Sequence, residues 1–233
     1  MFLKSNYNIK DIFNNISYRY DFLNNLFSLG LHNIWKKKLV RILNPINGEA
    51  WADLCCGTGD LSIIINKRVY PNGSILAIDN ASQILKIARK KSKNLNNNFI
   101  IWKEKDIFEI DESFYKFDGI CMSYGLRNLY SAEEGLKKVF SLLKENGRAG
   151  FLDFNHTKKK SFSAYFQKYY LRFIVVPISG LFNLKKEYSY IEKSIENFPN
   201  GKNLILIAKK IGFKEVKFKT ICGGQMCFLI IIK

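Results

Sequence analysis

The sequence predicts an α/β fold: a seven-stranded sheet, mostly parallel, that ends in an antiparallel C-terminal hairpin. Three observations carry this reading. Short apolar runs alternate with helical patterns from residue 50 to residue 154, the rhythm of parallel strands joined by crossover helices. A Gly57-Thr58-Gly59 turn follows the first of those runs and opens a helical pattern. Two last apolar runs are separated only by a link of hairpin length around Gly223-Gly224.

The first fifty residues read as helices. Ile9, Ile12, Phe13 and Ile16 recur at helical spacing, and Leu31, Ile34, Trp35, Leu39 and Ile42 repeat it. Asn44-Pro45 ends that segment. Strands are expected at 50–56, 74–79, 99–102, 117–123 and 148–154, with helices at 60–66, 81–92 and 132–144 between them. The stretch 161–193 breaks the rhythm. It is rich in aromatic residues (Phe162, Tyr165, Phe166, Tyr169, Tyr170, Phe173) with basic residues between, and reads as a helical cap insertion. A helix at 202–211 and strands at 215–222 and 227–233 complete the chain. One domain, 1–233, is expected: a helical N-terminal segment (1–45), a cofactor-binding half (46–154), a cap and substrate region (155–200), and a C-terminal helix and hairpin (201–233).

With 233 residues, 47% of them hydrophobic, the chain can bury a real core. No apolar run reaches the roughly 18–20 residues of a membrane span, and Met1 to Lys10 lacks the apolar region of a signal peptide. The expected location is the cytoplasm, either free or peripheral to a membrane. Five cysteines show no zinc-like spacing, so reduced thiols and no metal are expected. Lys and Arg exceed Asp and Glu by 37 to 20, a net charge of +17. Attraction to an anionic membrane, contact with nucleic acid, or a solvated surface biased by AT-rich codons would each produce it. Asn94 to Asn98 is nearly all asparagine, and the basic runs at 36–38, 89–91 and 158–160 are scattered. They form no single tract.

The turn from Asp53 to Asp60 is the strongest chemical signal. Gly57 and Gly59 permit a tight turn and close approach of a ligand to the backbone. The third glycine of a dinucleotide site is replaced by Ser62, and the helix begins with Asp60. An acid there opposes a pyrophosphate but tolerates a cationic sulfonium. Asp79 stands twenty residues after Gly59 at the end of the second strand, placed for ribose hydroxyls. Asp106 follows the third strand and could accept from an adenine amino group, with Ile107 on the ring face. Each residue alone has a structural alternative, such as a strand-end or helix-capping acid. Three acids at successive strand ends point together to a Rossmann-like nucleoside site for S-adenosyl-L-methionine, the class I methyltransferase arrangement.

These residues also carry a likeness. Over nearly its whole length the chain resembles the ubiquinone/menaquinone-biosynthesis C-methyltransferases (the UbiE/MenG type). The match runs through Ile12-Phe13-Asn14, Arg19-Tyr20-Asp21 and Leu29 to Lys36, then Asp53 to Leu61. It continues in Gly125-Leu126-Arg127-Asn128, the most distinctive segment, and Gly223-Gly224. Cys55-Cys56 and Leu152-Asp153-Phe154 look most like the cyanobacterial and plastid branch, which methylates 2-phytyl-1,4-naphthoquinone in phylloquinone synthesis. Menaquinone and ubiquinone biosynthesis are the near variants. The broader pattern has glycine where this chain has Cys55; if that position needs positive φ, cysteine is strained there.

The resemblance implies that Thr58, Asp79, Asp106, Ile107 and Ser123 contact the cofactor, beside the Asp53, Gly57 and Gly59 turn. The implied acceptor is a lipid-soluble quinol, whose ring carbon becomes nucleophilic once a hydroxyl proton is lost. Arg127 and Asn128 would hold developing negative charge, and Tyr20 would hydrogen-bond a quinol oxygen. A salt bridge for Arg127 and a core position for Tyr20 remain open alternatives. His32 and His156 are conceivable bases, with structural roles as the alternative. Transient contact with a membrane surface is expected, and a homo-oligomer is left open. Two rivals stand: a nucleic-acid methyltransferase, which the charge favours although Ser123-Tyr124-Gly125-Leu126 lacks the usual Pro-Pro segment, and a cofactor-binding scaffold without activity. No nucleic acid is expected as partner.

Overall fold

The computed structural model describes residues 9–93, 99–156 and 162–233. Seven strands form one sheet: β1 (Ala50–Leu54), β2 (Ser74–Asp79), β3 (Ile100–Glu104), β4 (Phe117–Ser123), β5 (Leu143–Phe154), β6 (Glu215–Ile221) and β7 (Met226–Ile232). Their order is β3-β2-β1-β4-β5-β7-β6. Strands β1 to β5 pair in parallel, while β7 slots between β5 and β6 and runs antiparallel to both. The order reverses between β1 and β4, and a crevice opens beyond the carboxyl ends of those strands.

Alternating side chains on each strand feed two cores. Ala52, Leu54, Ile120 and Met122 pack with α6 (Ala132–Leu142) and α10 (Gly201–Ile211) on one face. Trp51, Ala77, Cys121 and Phe228 pack with α3 (Leu31–Leu43), α4 (Asp60–Val69) and α5 (Ser82–Ser92) on the other. Burial on both faces explains why the strands read as continuous apolar runs without polar alternation. A third core joins α1 (Ile9–Ile16) and α2 (Tyr20–Ser28) to the cap, through Ile16, Leu23, Leu171, Val175, Leu184 and Tyr188. The cap comprises α7 (Phe162–Tyr170), a π-helical turn (Leu171–Val175), α8 (Val176–Gly180) and α9 (Lys185–Asn197). The carboxyl edge of the sheet is thereby roofed by helices from the N-terminal segment and from the cap.

Several boundaries differ from the sequence expectations. Strand β1 stops at Leu54 because Cys55 turns into the left-handed region, φ +55°. Helix α6 ends at Leu142, two residues early, since Leu143 already pairs with Phe117 ahead of a register shift. Helix α4 continues to Val69, and β3 runs from Ile100 to Glu104. The asparagine stretch 94–98, the basic run 158–160 and residues 1–8 lie outside the described residues.

Gly59 caps α4 at φ +81°, and a Cβ there would sit 2.4 Å from the Trp102 ring. Gly30 has a similar φ of +76° with open space around it. Gly30→Ala should therefore cost only the left-handed penalty, ~1–2 kcal/mol. Gly59→Ala should cost ~1–3 kcal/mol more from overpacking. Urea unfolding of the two variants measures the difference, and equal losses would show that Trp102 yields freely.

Candidate active site

A narrow cleft of about 70 Å³ lies at the carboxyl edge. Its floor comes from strand ends and the turns after them: Cys55, Gly57, Asp79, Asp106, Ile107, Ser123, Tyr124, Gly125 and Asn128. Ile9, Phe13 and Tyr20 close it from the N-terminal helices. Asp79 accepts from the Gly57 N–H at 2.9 Å and the Ala81 N–H at 3.0 Å. Burial raises its carboxyl against those amides. Asp106 caps the next short helix by accepting from the Phe108 N–H at 2.9 Å, and Ile107 is buried beside it. Two carboxylates, a bare glycine and a strand-end serine suit a hydroxyl-rich nucleoside bearing positive charge. They do not suit a polyphosphate.

Three residues expected at this site do not line the cleft. Asp53 is buried beneath α4, where it accepts from the Ser62 N–H at 2.9 Å and the Ser62 hydroxyl at 2.6 Å. Burial pushes its carboxyl up to about 6. Gly59 packs under Trp102. Thr58 gives its hydroxyl to Asp21 at 2.7 Å. All three shape the turn from behind.

The turn is also clamped from above. Lys91 reaches Asp21 at 2.9 Å, and both Lys91 and Lys36 reach Asp60, the latter at 2.7 Å. Burial alone would raise the Asp60 carboxyl, but the two lysines outweigh it and hold it well below the usual range. The negative charge that looked hostile to phosphate is thus neutralised within the protein. The partners come from α2, α3 and α5, too far apart in sequence for spacing to reveal them.

Beside the cleft is a larger cavity of about 280 Å³, roofed by the cap. Phe13, Tyr20, Tyr124 and Asn128 belong to both walls. The rest of its lining is mainly apolar, including Ile12, Phe27, Trp35, Phe154, Leu171 and Val175, with Arg127, His32 and Glu187 among its polar groups. Arg127 is fixed: its guanidinium donates to Asp153 at 2.6 Å, to the Tyr124 carbonyl at 3.0 Å and to Ser194 of the cap at 3.3 Å. It also lies over the Phe154 ring. Asn128 donates to the same Tyr124 carbonyl at 2.8 Å. Burial pushes the Tyr20 phenol up to about 12, so it stays protonated as a donor. Tyr124 and Cys222, also on this wall, adopt φ of +59° and +51°. Non-glycine residues in that region store ~1–2 kcal/mol each.

Sequence reasoning brought Tyr20, Arg127, Asn128, Asp79, Asp106, Ile107, Gly57 and Ser123 together around the two cavities. It missed Tyr124, which sits between Ser123 and Gly125, and Asp153, a strand-end acid like Asp79 whose partner lies 26 residues away. Of the histidines, His32 lines the apolar cavity. His156 sits apart, bonded to the Phe198 carbonyl at 2.6 Å. Among the described residues no group of three or more His, Cys, Asp or Glu could hold a metal ion.

Burial, with Lys36 next in weight, lowers the His32 ring to about 4. The unfolded ring titrates near ~6.5. Below that pH the unfolded chain takes a proton that the folded one refuses, so stability falls as pH drops from about 6.5 towards 4, by up to about 3 kcal/mol. His32→Gln should flatten this part of the stability–pH curve, read by denaturant titrations at pH 7 and 4.5. An unchanged slope would assign the acid loss to other groups.

The ubiE/COQ5 methyltransferase family model matches residues 1–233. A 2-phytyl-1,4-naphthoquinone methyltransferase of Nostoc sp. is 35% identical over 226 residues, 97% of this chain and 98% of that one. The chloroplastic 2-phytyl-1,4-beta-naphthoquinone methyltransferase of Arabidopsis thaliana is 33% identical, covering 95% of this chain and 86% of the relative. In fold, the chain is similar to Haemonchus contortus phosphoethanolamine N-methyltransferase 2 in complex with S-adenosyl-L-methionine. The TM-score is 0.68 at 12% identity, across 100% of this chain and 61% of that one. With its sheet order, its strand-end acids and a family match from end to end, the chain belongs to the ubiE/COQ5 methyltransferase family.

Proposed function

We propose that this methyltransferase methylates a ring carbon of a reduced naphthoquinone carrying a phytyl or prenyl tail, with S-adenosylmethionine as methyl donor. One observation carries the reading: a large apolar cavity shares a wall with the nucleoside cleft, through Phe13, Tyr20, Tyr124 and Asn128. A greasy ring seated in the cavity would lie against whatever the cleft holds. The naming of the similar proteins as phytyl-naphthoquinone methyltransferases supports the same acceptor.

S-adenosylmethionine supplies an electrophilic methyl group, and the residues that would hold it are Asp79, the Gly57 backbone, Asp106 with Ile107, and Ser123. Asp53, Thr58 and Gly59 keep the turn in shape. On the acceptor side, Arg127 offers a fixed positive charge to a ring oxygen as its proton leaves. Tyr20 offers a protonated phenol, and Asn128 sits where the two cavities meet. Loss of the hydroxyl proton spreads charge onto the unsubstituted ring carbon, which would attack the methyl group as S-adenosylhomocysteine departs. That carbon then loses its own hydrogen as a proton and the ring oxygen is reprotonated, for a net release of one proton. The apolar lining excludes water and strengthens these contacts.

No helix among the described residues is long and apolar enough to cross a membrane. The acceptor's tail nevertheless calls for contact with lipid. Leu29 is 84% exposed and Phe173 69% exposed, with Phe166 and Tyr169 also on the surface. Leu29 and Phe166 also line the apolar cavity. Exposed Lys168, Lys185 and Lys186 belong to the same cap. Aromatic and apolar residues among lysines suit an anionic lipid surface, so the protein is read as peripheral to a membrane.

Labelled S-adenosylmethionine and reduced demethyl-naphthoquinols should give ring-methylated product, both with a short-tailed quinol in buffer and with a long-tailed quinol in anionic vesicles. Transfer to RNA instead, or cofactor binding without any transfer, would overturn the reading. Leu29→Glu with Phe173→Glu should slow transfer from vesicles by about tenfold and leave the short-tailed reaction largely intact. Two acids should separate in cofactor binding. Asp79→Asn should weaken S-adenosylhomocysteine binding about 10- to 100-fold by calorimetry. Asp53→Asn should leave affinity nearly unchanged while lowering stability by ~1–3 kcal/mol.

A further inference from the structure

His32 is a buried, titratable group that the mechanism above leaves unused. Its ring is 2% exposed and lines the apolar cavity. The Ser28 hydroxyl has one proton and donates it to the Asn24 carbonyl at 2.6 Å. It also lies 2.8 Å from His32 Nδ1 and accepts from the His32 backbone N–H. With its proton committed, Ser28 can only accept from the ring, so Nδ1 carries the hydrogen of a neutral imidazole. The other nitrogen, Nε2, is then a bare lone pair, and among the described residues nothing donates to it.

An acceptor on a cavity wall with no protein donor is open to a donor from a ligand. Asn128 lines the same cavity; its Nδ2 is committed to the Tyr124 carbonyl, and its Oδ1 is buried without a partner. The cavity therefore presents the His32 lone pair beside the donors of Arg127 and Tyr20. A ring hydroxyl can donate to that lone pair, whereas a ring carbonyl cannot.

We infer that His32 Nε2 accepts a hydrogen bond from a ring hydroxyl of the acceptor and so makes the cavity selective for the reduced, diol form over the oxidised, dione form. The inference rests on the quinol reading above and adds to it the residue that tells the two oxidation states apart. The charged and titratable groups around the imidazole are Asp21 of α2, Lys36 of α3, Asp60 of α4 and Lys91 of α5. Burial and Lys36 keep the ring neutral, so the lone pair persists across the neutral range. Proton transfer to Nε2 need not go to completion. Accepting the hydrogen bond orients the hydroxyl and draws on its proton as the ring carbon gains charge.

The test compares binding of 1,4-naphthohydroquinone, kept reduced without oxygen, with binding of 1,4-naphthoquinone. Both are measured in a Cys222→Ser background, since Cys222 is an exposed thiol on this wall that could add to the oxidised ring. The parent should prefer the hydroquinone about tenfold or more. His32→Phe should abolish that preference and lower kcat/KM for short-tailed quinol about 10- to 100-fold, while affinity for S-adenosylhomocysteine holds. His32→Gln, whose amide oxygen can still accept, should keep most of the preference. A purely structural histidine would weaken both ligands equally in His32→Phe. An unchanged preference in a folded His32→Phe that still methylates quinol overturns this inference alone. Failure of the parent to methylate any quinol overturns the reading beneath it and this inference together.

Discussion

The ion-pair clamp of Asp21, Lys36, Asp60 and Lys91 is the contact on which the rest of the site depends. It fastens α2 and α3 to the glycine turn and to α5. It sets α2 against the turn, and α2 carries Tyr20, one of the residues of the wall common to both cavities. Its members are mostly shielded from solvent, Lys36 nearly completely. Mutual attraction must therefore offset a real desolvation cost. Four charges in one network, three of them with hydrogen bonds to more than one partner, meet that condition better than an isolated pair.

A second knot, Arg127 with Asp153, does for the cap what the clamp does for the N-terminus. The guanidinium touches β5 through Asp153, the loop after β4 through the Tyr124 carbonyl, and α9 through Ser194. Breaking such a buried pair by removing one partner typically costs ~3–5 kcal/mol. Arg127 is a structural tie, and in the proposed reaction it would also present its charge to the acceptor. The two roles support each other, because a charge held at three points needs little reorganisation when negative charge develops nearby.

Sequence reading recovered the elements that local patterns encode. Every strand was found, because fully buried strands leave apolar runs, and the terminal hairpin followed from its short glycine link. The insertion of β7 between β5 and β6 was not legible, since the register with β5 rests on contacts about 75 residues apart. At the site, acids at strand ends were legible by position and Gly57 by its turn. Asp53 read as a ligand residue because spacing cannot tell which way a strand-end side chain faces. Its carboxylate turns under α4 to Ser62. The lysines that neutralise Asp60, and the aspartate that holds Arg127, depend on tertiary approach and left no local mark.

The wall shared by Phe13, Tyr20, Tyr124 and Asn128 also has a consequence for how two unlike reactants meet. On one side, carboxylates and backbone amides suit a charged, water-loving molecule; on the other, hydrocarbon suits a lipid. Neither reactant has to cross the other's compartment to arrive or to leave. The protein thus works as a phase boundary in miniature, letting groups of opposite solubility touch across a few side chains while the bulk of each stays in its own solvent.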